Sequence, residues 1–462
     1  MTGRPTTPQQ IVERALAAST VDGAVVLVTA NSTANVRWAN NTVTTSGVSE
    51  SLSWSVTSIV GTSAGTVTST STDPADIEAV VRASEQAARD AGPAQDAMPL
   101  ITPTESAPGV SYDEPPVGTD FSVYARLLPG LGEAFDGARS ADRILYGFAR
   151  HESATVYLGS STGLRLRWVQ PTGTVEVNAK SADLARSSWA GTSTADFTDV
   201  DLAAMADSLG VRLGWAERRI DLAPGRYDTV LPPTSVADLM IYLGWSAGGR
   251  AAHEGRSPFS AGSGTRLGER LTDRGLSLFS DPTTPMIEAA PFVIAAESSD
   301  EVSVFDNGAP IGRAELITDG VISGLIHTRA SAAAFGDPYR PITDNLVLTG
   351  GDESKTTADL VAGVERGLLV TSLWYIREVD PITLLLTGLT RDGVYLIENG
   401  EVSGVVNNFR FNMSPLDVVR QAAEVARSER ALSREWSDWF TRSVMPAMRV
   451  EGFNMSSVSQ AL

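Results

Sequence analysis

Cysteine is absent from the 462-residue chain. Its absence excludes disulfides, thiolate nucleophiles and zinc sites that use cysteine ligands. Long apolar runs are absent too: no stretch of 18 or more apolar residues occurs, so the sequence predicts no membrane-spanning helix. The polar stretch from Met1 to Gln10 lacks the apolar segment of a secretory signal. We therefore expect a cytoplasmic protein.

Positive charge is scarce. The chain has 36 lysines and arginines against 55 aspartates and glutamates, a formal net charge of −19. Such a field repels phosphate backbones and argues against a nucleic-acid partner. A hydrophobic content of 42% with 20% charged residues is typical of folded soluble proteins, and the length predicts more than one domain.

The first half of the chain alternates helix signals with short apolar runs that are typical of strands. Cap and proline pairs open amphipathic segments, as expected at helix starts. Helices are predicted from Thr7-Pro8, from Asp73-Pro74, near 121–136, from Thr234 or Ser235, and from Ser414-Pro415 to about Arg430. Strands are predicted at 24–28, 52–56, 144–148, 155–158, 164–168 and 174–178.

Proline and glycine positions predict the domain organisation. Six prolines within residues 91–119 indicate a loop, and the composition changes near Ala223-Pro224-Gly225. Beyond that point, type I′ hairpin turns are predicted at Asn307-Gly308, Asp319-Gly320 and Asn399-Gly400. The expected fold class is α+β, with an N-terminal α/β sheet domain at residues 1–222. A mainly antiparallel β domain with a few helices follows at residues 223–462.

The three histidines form no recognisable metal motif. His253-Glu254 and His151-Glu152 both begin like H-E-x-x-H, but neither has a second histidine at the required position. His327 stands alone. We interpret each histidine as a surface or hydrogen-bonded residue. A cryptic metal site that uses His253 and Glu254 remains an alternative.

Two glycine-containing segments suggest other chemistry. Gly244–Gly248 matches the G-x-S-x-G pattern with Ser246 as nucleophile, but that turn needs a preceding strand, and helical periodicity from Val236 places Ser246 inside a helix. The segment Gly262–Gly268 has one residue too many for a dinucleotide loop, which favours a plain flexible loop. A serine hydrolase that uses Ser246 remains an alternative.

Several ordered blocks in the second half of the chain resemble the TldD/TldE (PmbA) family, specifically its TldE-type members. These blocks are residues 305–321, 367–381, 384–395, 406–412 and 445–457. The first half fits the family by its order of helices and sheet rather than by its sequence. The resemblance thus covers residues 225–462 well.

In that family the active TldD subunit holds zinc with an H-E-x-x-x-H helix and a cysteine. Matching the glutamate-glycine pair after that helix to Glu254-Gly255 puts the motif histidines at Ser246 and Ala251 and its glutamate at Ala247. Serine and alanine supply neither an imidazole nor a general-base carboxylate. The resemblance therefore implies no catalytic residue and no cofactor in this chain, with zinc expected in the partner subunit.

The resemblance also implies partners. We expect a heterodimer with a TldD-type metallopeptidase subunit that encloses a cavity and cleaves unfolded or precursor peptides, in peptide maturation and proteolysis. Alone, the chain could pair with itself; a binding or scaffold role without a protease is a further alternative. Four residues are candidates for shaping the cavity or the interface: Arg377, Arg391, Asn408 and Arg410.

Overall fold

A computed structural model describes residues 6–107 and 111–460. Within these residues the chain forms two large sheets with helices against them, which confirms the α+β class. Residues 1–5 of the polar N-terminal stretch, Pro108 of the proline-rich segment and residues 461–462 lie outside this description.

The first sheet contains six antiparallel strands in the order β3-β2-β1-β4-β5-β6. The runs predicted at 24–28 and 52–56 lie in the buried parts of two much longer strands. In the first of them, the alternating buried residues Ala34, Val36 and Trp38 continue the strand beyond the predicted run. The bounds are β1 Gly23–Ala39, β2 Thr42–Val60, β3 Ser63–Ser69, β4 Arg143–Ser160, β5 Arg165–Ser181 and β6 Ser187–Thr194.

Four helices accompany this sheet: α1 Pro8–Ala18, α2 Pro74–Asp90, α3 Leu127–Ser140 and α4 Leu202–Trp215. Thr7 and Asp73 cap the first two helices with their side chains, as the sequence predicts. The helix predicted near 121–136 divides into a 3₁₀ turn at Phe121–Tyr124 and α3. The described part of the proline-rich segment contains neither helix nor strand.

The second sheet contains fourteen strands, most of them antiparallel. Three pairs are parallel: β8 with β15, β14 with β22 and β7 with β19. Two further short strands form a separate hairpin. The bounds are β7 Arg219–Ile220, β8 Gly225–Leu231, β9 Ser260–Ala261, β10 Gly264–Thr265, β11 Ser277–Ser280, β12 Ala314–Thr318, β13 Val321–Ile322, β14 Leu346–Thr349, β15 Arg366–Val370, β16 Leu373–Asp380, β17 Leu385–Thr390, β18 Val394–Glu398, β19 Glu401–Val406, β20 Phe409–Met413, β21 Ala422–Ala431 and β22 Ser443–Val458.

The helices of this half are α5 Pro233–Trp245, α6 Gly249–His253, α7 Arg329–Phe335, α8 Thr357–Ala362 and α9 Pro415–Arg420. The prediction of a helix from Ser414-Pro415 to about Arg430 is wrong beyond its first turns. After α9 the chain enters β21, which pairs antiparallel with β22. Pairing with a buried neighbouring strand overrides the helical propensity of this alanine-containing segment.

Two of the three predicted hairpin turns are confirmed. Asp319-Gly320 and Asn399-Gly400 have positive φ at both positions and join β12 to β13 and β18 to β19. The third prediction is wrong, because Asn307 has φ −50° and follows a 3₁₀ turn rather than a strand. Its buried amide instead bonds the backbone around Ala295.

None of the helices in the described ranges has the length and apolar character needed to cross a membrane.

Candidate functional site

The segment from α5 to α6 contains a break of three residues. α5 ends at Trp245, and the backbone N–H and hydroxyl of Ser246 both donate to the carbonyl of Tyr242, at 3.0 Å and 2.8 Å. α6 begins only at Gly249. Ser246 therefore caps a helix, which corrects the expectation that it lies inside one.

A short backbone bridge to Ile326 accompanies this break. The N–H of Ile326 donates to Ala247 O at 2.8 Å, and the N–H of Gly249 donates to Ile326 O at 2.7 Å. A side chain at position 249 would overlap the imidazole of His327, so glycine is needed for this close approach. The bridge thus brings His327 against the first turn of α6.

The three positions that the resemblance matched to the zinc motif do not lie on one helix. Ser246 lies at the end of α5, Ala247 is fully buried in the break, and Ala251 lies on α6. The alanine methyl groups offer no donor atom, and the Ser246 hydroxyl is bonded to Tyr242 O, so these positions do not fit a zinc ion. Since a helix and not a strand precedes Ser246, the arrangement is also not a nucleophile elbow.

Two histidines and an aspartate meet beside α6. His253 Nε2 lies 2.6 Å from Asp337 Oδ2, and His327 Nε2 lies 3.1 Å from the same oxygen. One ligand atom from each of the three residues lies within 4.8 Å of the others. We name these residues the His-Asp cluster. Imidazole nitrogen and carboxylate oxygen are ligand types that bind transition metals.

Helix α7 holds two members of the cluster in place. Thr328 caps α7, and Ser331 in its first turn bonds His327 Nδ1 at 3.0 Å. Gly336 ends the helix with φ +76°, which turns the chain so that Asp337 follows immediately. Burial lowers the pKa of His327, and the carboxylate of Asp337 opposes that effect.

The other predicted metal candidates lie elsewhere. His151 is buried in the first sheet, where its ring nitrogens bond Thr119 Oγ1 at 2.7 Å and Ala195 O at 2.8 Å, and burial lowers its pKa. Glu254 pairs with Arg256 at 2.6 Å and is not a member of the cluster. Of the two residues in the alternative metal site, His253 belongs to the cluster and Glu254 does not.

A cavity of about 490 Å³ lies between the two sheets, next to the end of α5. Trp168 and Gln170 of β5 form one side, and Trp245 and His327 line it from the second half of the chain. Glu301 also lines the cavity, and burial raises the pKa of its carboxyl. A second pocket of about 240 Å³ is lined by three of the same residues as this cavity, namely Trp168, Gln170 and Arg442. The cavity and the pocket thus have a common wall.

The four candidate cavity or interface residues do not line this cavity. Arg377 on β16 is 62% exposed and pairs with Glu435 at 3.0 Å. Arg410 on β20 donates to Thr387 Oγ1 on β17 at 3.3 Å, and Arg391 follows β17. Asn408 directly precedes β20 and accepts a backbone bond from Ser459. All four therefore lie on or beside the strands β16, β17 and β20.

The glycine-containing segment 262–268 is more regular than the predicted loop. Strands β9 and β10 pair around Gly262, which has φ +56°, and form a small hairpin. The strand-to-helix turn of a dinucleotide site does not occur there.

Sequence families match both halves of the chain. The model described as the PmbA/TldA metallopeptidase C-terminal domain matches residues 224–457, which is just over half of the chain. The model described as PmbA/TldA metallopeptidase domain 1 matches residues 24–88. No curated protein matches the chain.

Solved structures share the fold over nearly the whole chain. TldE from Thermococcus kodakarensis is 15% identical with a TM-score of 0.78, over 96% of this chain and 99% of that one. A protein from Bacteroides thetaiotaomicron, described as a candidate modulator of DNA gyrase, is 16% identical with a TM-score of 0.76, over 97% and 98%. A Thermotoga maritima protein with a similar description is 15% identical with a TM-score of 0.75, over 97% and 100%.

Proposed function

The chain belongs to the PmbA/TldD metallopeptidase family, and from this premise we propose that it is the TldE-type, non-catalytic subunit of a heterodimeric zinc metallopeptidase. Its partner is a TldD-type subunit that holds the zinc ion, and the substrates are unfolded or precursor peptides in the cytoplasm. The fold shared with TldE of Thermococcus kodakarensis supports this assignment.

One observation carries the proposal: the α5–α6 segment lacks the chemistry of the active subunit. Peptide hydrolysis at a metal needs ligands and a general base to activate water. Ser246, Ala247 and Ala251 provide neither, and a glutamate at position 247 would have to enter a site where the alanine is already 0% exposed. The interruption between Trp245 and Gly249 removes the continuous helix as well.

The cavity beside α5 supports a role in holding peptide. Its wall combines aromatic side chains with a few polar groups, as ligand sites commonly do. Arg442 lies in this wall, only 11% exposed, and donates to Asp344 at 2.7 Å and to Thr172. A buried guanidinium in that position can contact peptide carbonyls that pass between the two sheets.

The strands β16, β17 and β20 are the candidate surface for the partner. β16 pairs only with β17, so its other edge is unpaired within the described residues. It carries Tyr375 and Val379, which are 59% and 56% exposed. An unpaired edge with exposed apolar side chains is suited to a second subunit, either the TldD-type chain or, when this chain is alone, another copy.

Co-expression with a chain that carries H-E-x-x-x-H tests the function. We expect an unstructured peptide to be cleaved by the purified pair and not by this chain alone, and chelators should stop the cleavage. A pair in which the partner's motif glutamate is replaced by glutamine controls for contaminating proteases. Chelator-sensitive hydrolysis by this chain alone would overturn the proposal.

A second arm tests the partner surface. Arg377→Ala and Arg410→Ala should each weaken co-purification of the two subunits. Arg313→Ala should not, because Arg313 directly precedes β12, which pairs with none of the strands β16, β17 and β20. Equal co-purification of all three variants would show that the strands β16, β17 and β20 are not the interface. The assignment as a TldE-type subunit would still be tested separately by the cleavage assay.

A further inference from the structure

The His-Asp cluster joins α6 to the two ends of α7, which lie more than seventy residues later in the chain. His253 is the last residue of α6, His327 precedes α7, and Asp337 follows it. The backbone bridge between Gly249 and Ile326 fixes the segments of His253 and His327 against each other. The cluster is therefore built by the fold and does not depend on a flexible surface loop.

The donor atoms have the spacing of a transition-metal site. Zinc lies about 2.0–2.2 Å from nitrogen and oxygen ligands, and tetrahedral geometry then separates neighbouring donors by about 3.3 Å. The cluster has separations of 2.6 Å and 3.1 Å from Asp337 to the two histidines. Side-chain shifts of about 0.7 Å and about 0.2 Å would bring these two separations to the tetrahedral value. Two imidazoles and one carboxylate leave a fourth position for water.

His327 provides a second, independent observation. Its side chain is 2% exposed, and its Nε2 atom has no hydrogen bond of acceptable geometry, although Asp337 Oδ2 lies 3.1 Å away. Its other nitrogen is engaged by Ser331 Oγ. A buried polar atom without a partner, such as this Nε2 atom, is uncommon in proteins. The bond from Ser331 to the other ring nitrogen is of the kind that orients a metal-binding histidine.

The ring of His253 is also held in one orientation. It stacks on Phe335 with the ring centres 4.3 Å apart and the planes 2° from parallel. Its Nε2 atom consequently points to Asp337. Two oriented imidazoles that share one carboxylate form a preorganised ligand set.

We propose that His253, His327 and Asp337 bind one zinc ion or a similar divalent transition-metal ion. The ion ties α6 to both ends of α7 at the wall of the cavity. This site uses none of the positions 246, 247 and 251. Because Ala247 stands where the motif has its general-base glutamate, we do not propose that the bound ion hydrolyses peptides. It is independent of the proposed function, since a metal that holds α6 in place is compatible with a non-catalytic subunit.

Zinc titration of the isolated, metal-free full-length chain tests the site. We expect one zinc ion per chain by calorimetry and elemental analysis, with a rise of several degrees in the melting temperature. Cobalt should bind in the same place and give the intense visible absorption of tetrahedral coordination. His253→Ala and Asp337→Asn should each weaken zinc binding at least about 100-fold, the loss expected when one of three ligands is removed.

Two controls keep the result interpretable. Glu254→Gln removes a neighbouring carboxylate outside the cluster, and His151→Gln removes the remaining histidine; neither should change zinc affinity more than about twofold. Circular dichroism of each variant without metal establishes that it folds. Absence of zinc binding in the wild-type chain at micromolar zinc, or binding that persists in both His253→Ala and Asp337→Asn, overturns the site. Neither result bears on peptide cleavage by the paired subunits, so the two proposals fail separately.

Discussion

Helices α5 and α6 are neighbours in the chain but depend on core burial to different degrees. Nine of the thirteen residues of α5 are buried, and its apolar side chains belong to the main core of the second half. α6 has only five residues, which is too short to be stable without outside contacts. Core burial therefore stabilises α5, whereas α6, of which three residues are buried, also depends on the bridge to Ile326 and on the His-Asp cluster.

The largest change in stability is expected at Gly249, the first residue of α6, where the backbone bridge lies against His327. Gly249→Ala should lower the free energy of unfolding by about 3 kcal/mol, because the new methyl group overlaps the buried imidazole of His327. Chemical denaturation measures the change. Gly132→Ala in α3, where nothing lies within 4 Å, is the matched control and should stabilise by up to about 1 kcal/mol. Equal effects of the two substitutions would show that position 249 does not need glycine.

The next effect is specific to α5 and depends on pH. Burial raises the pKa of Asp238 to about 7, despite bonds from Ser433 Oγ at 2.6 Å and the N–H of Glu435 at 3.0 Å. Between about pH 4 and pH 7 the unfolded chain releases a proton that the folded chain keeps, so this group lowers stability as pH rises and its cost is constant above pH 7.

Asp238→Asn should remove this dependence. Relative to wild type, the variant's free energy of unfolding is expected to rise between about pH 4 and pH 7, by at most about 1.4 kcal/mol per pH unit, and to stay constant above pH 7, as measured by denaturation across that range. Asp273→Asn, at a carboxylate that is 96% exposed, controls for the loss of one charge. If the free energies of unfolding of the variant and the wild type differed by the same amount at every pH, the assignment of a protonated Asp238 would be contradicted.

A smaller effect is expected in α6. Without metal, His253→Ala should cost about 1 kcal/mol, because it removes a stacked ring and a partly exposed ion pair or hydrogen bond. Thermal unfolding of the metal-free protein measures this change. A cost above about 3 kcal/mol would mean that the His253 ring contributes as much as a core aromatic side chain, and the contrast with α5 would disappear.

The smallest expected effect is none. Introducing the motif histidines with Ser246→His and Ala251→His should give no peptide hydrolysis above background, because the two positions lie on either side of the helix break and Ala247 supplies no general base. A cleavage assay of the double variant, with the wild-type chain as its baseline, measures this. Chelator-sensitive hydrolysis would show that the break is no barrier to metal chemistry.

Local signals in the sequence predicted much of the fold. Thr7 and Asp73 each bond a backbone N–H of the helix that follows, so residue type and position were sufficient to place both starts. Asp319-Gly320 was predictable because few residue pairs accept two positive φ angles. The strand at Ala422–Ala431 was not, since its conformation depends on β22, which follows it in the chain.

The site was harder to predict than the fold. The resemblance located the α5–α6 segment, and its glycines were compatible with a softened helix end, but they did not fix the break after Trp245, which accompanies pairing with Ile326. In the sequence His253 and His327 share no motif, and Asp337 carries no signal of its own. Their proximity arises from one backbone bridge and one left-handed glycine, Gly336, neither of which has a periodic signature in the chain.

Strand β22 has a consequence for how the protein is synthesised. It pairs with β8, β14, β20 and β21, so the second sheet cannot be completed before Ser443–Val458 leaves the ribosome. The six strands of the first sheet have all emerged by Thr194. The nascent polypeptide therefore has one half ready to fold while the other waits with exposed apolar edges, a stage at which chaperones or an early-binding subunit would protect it.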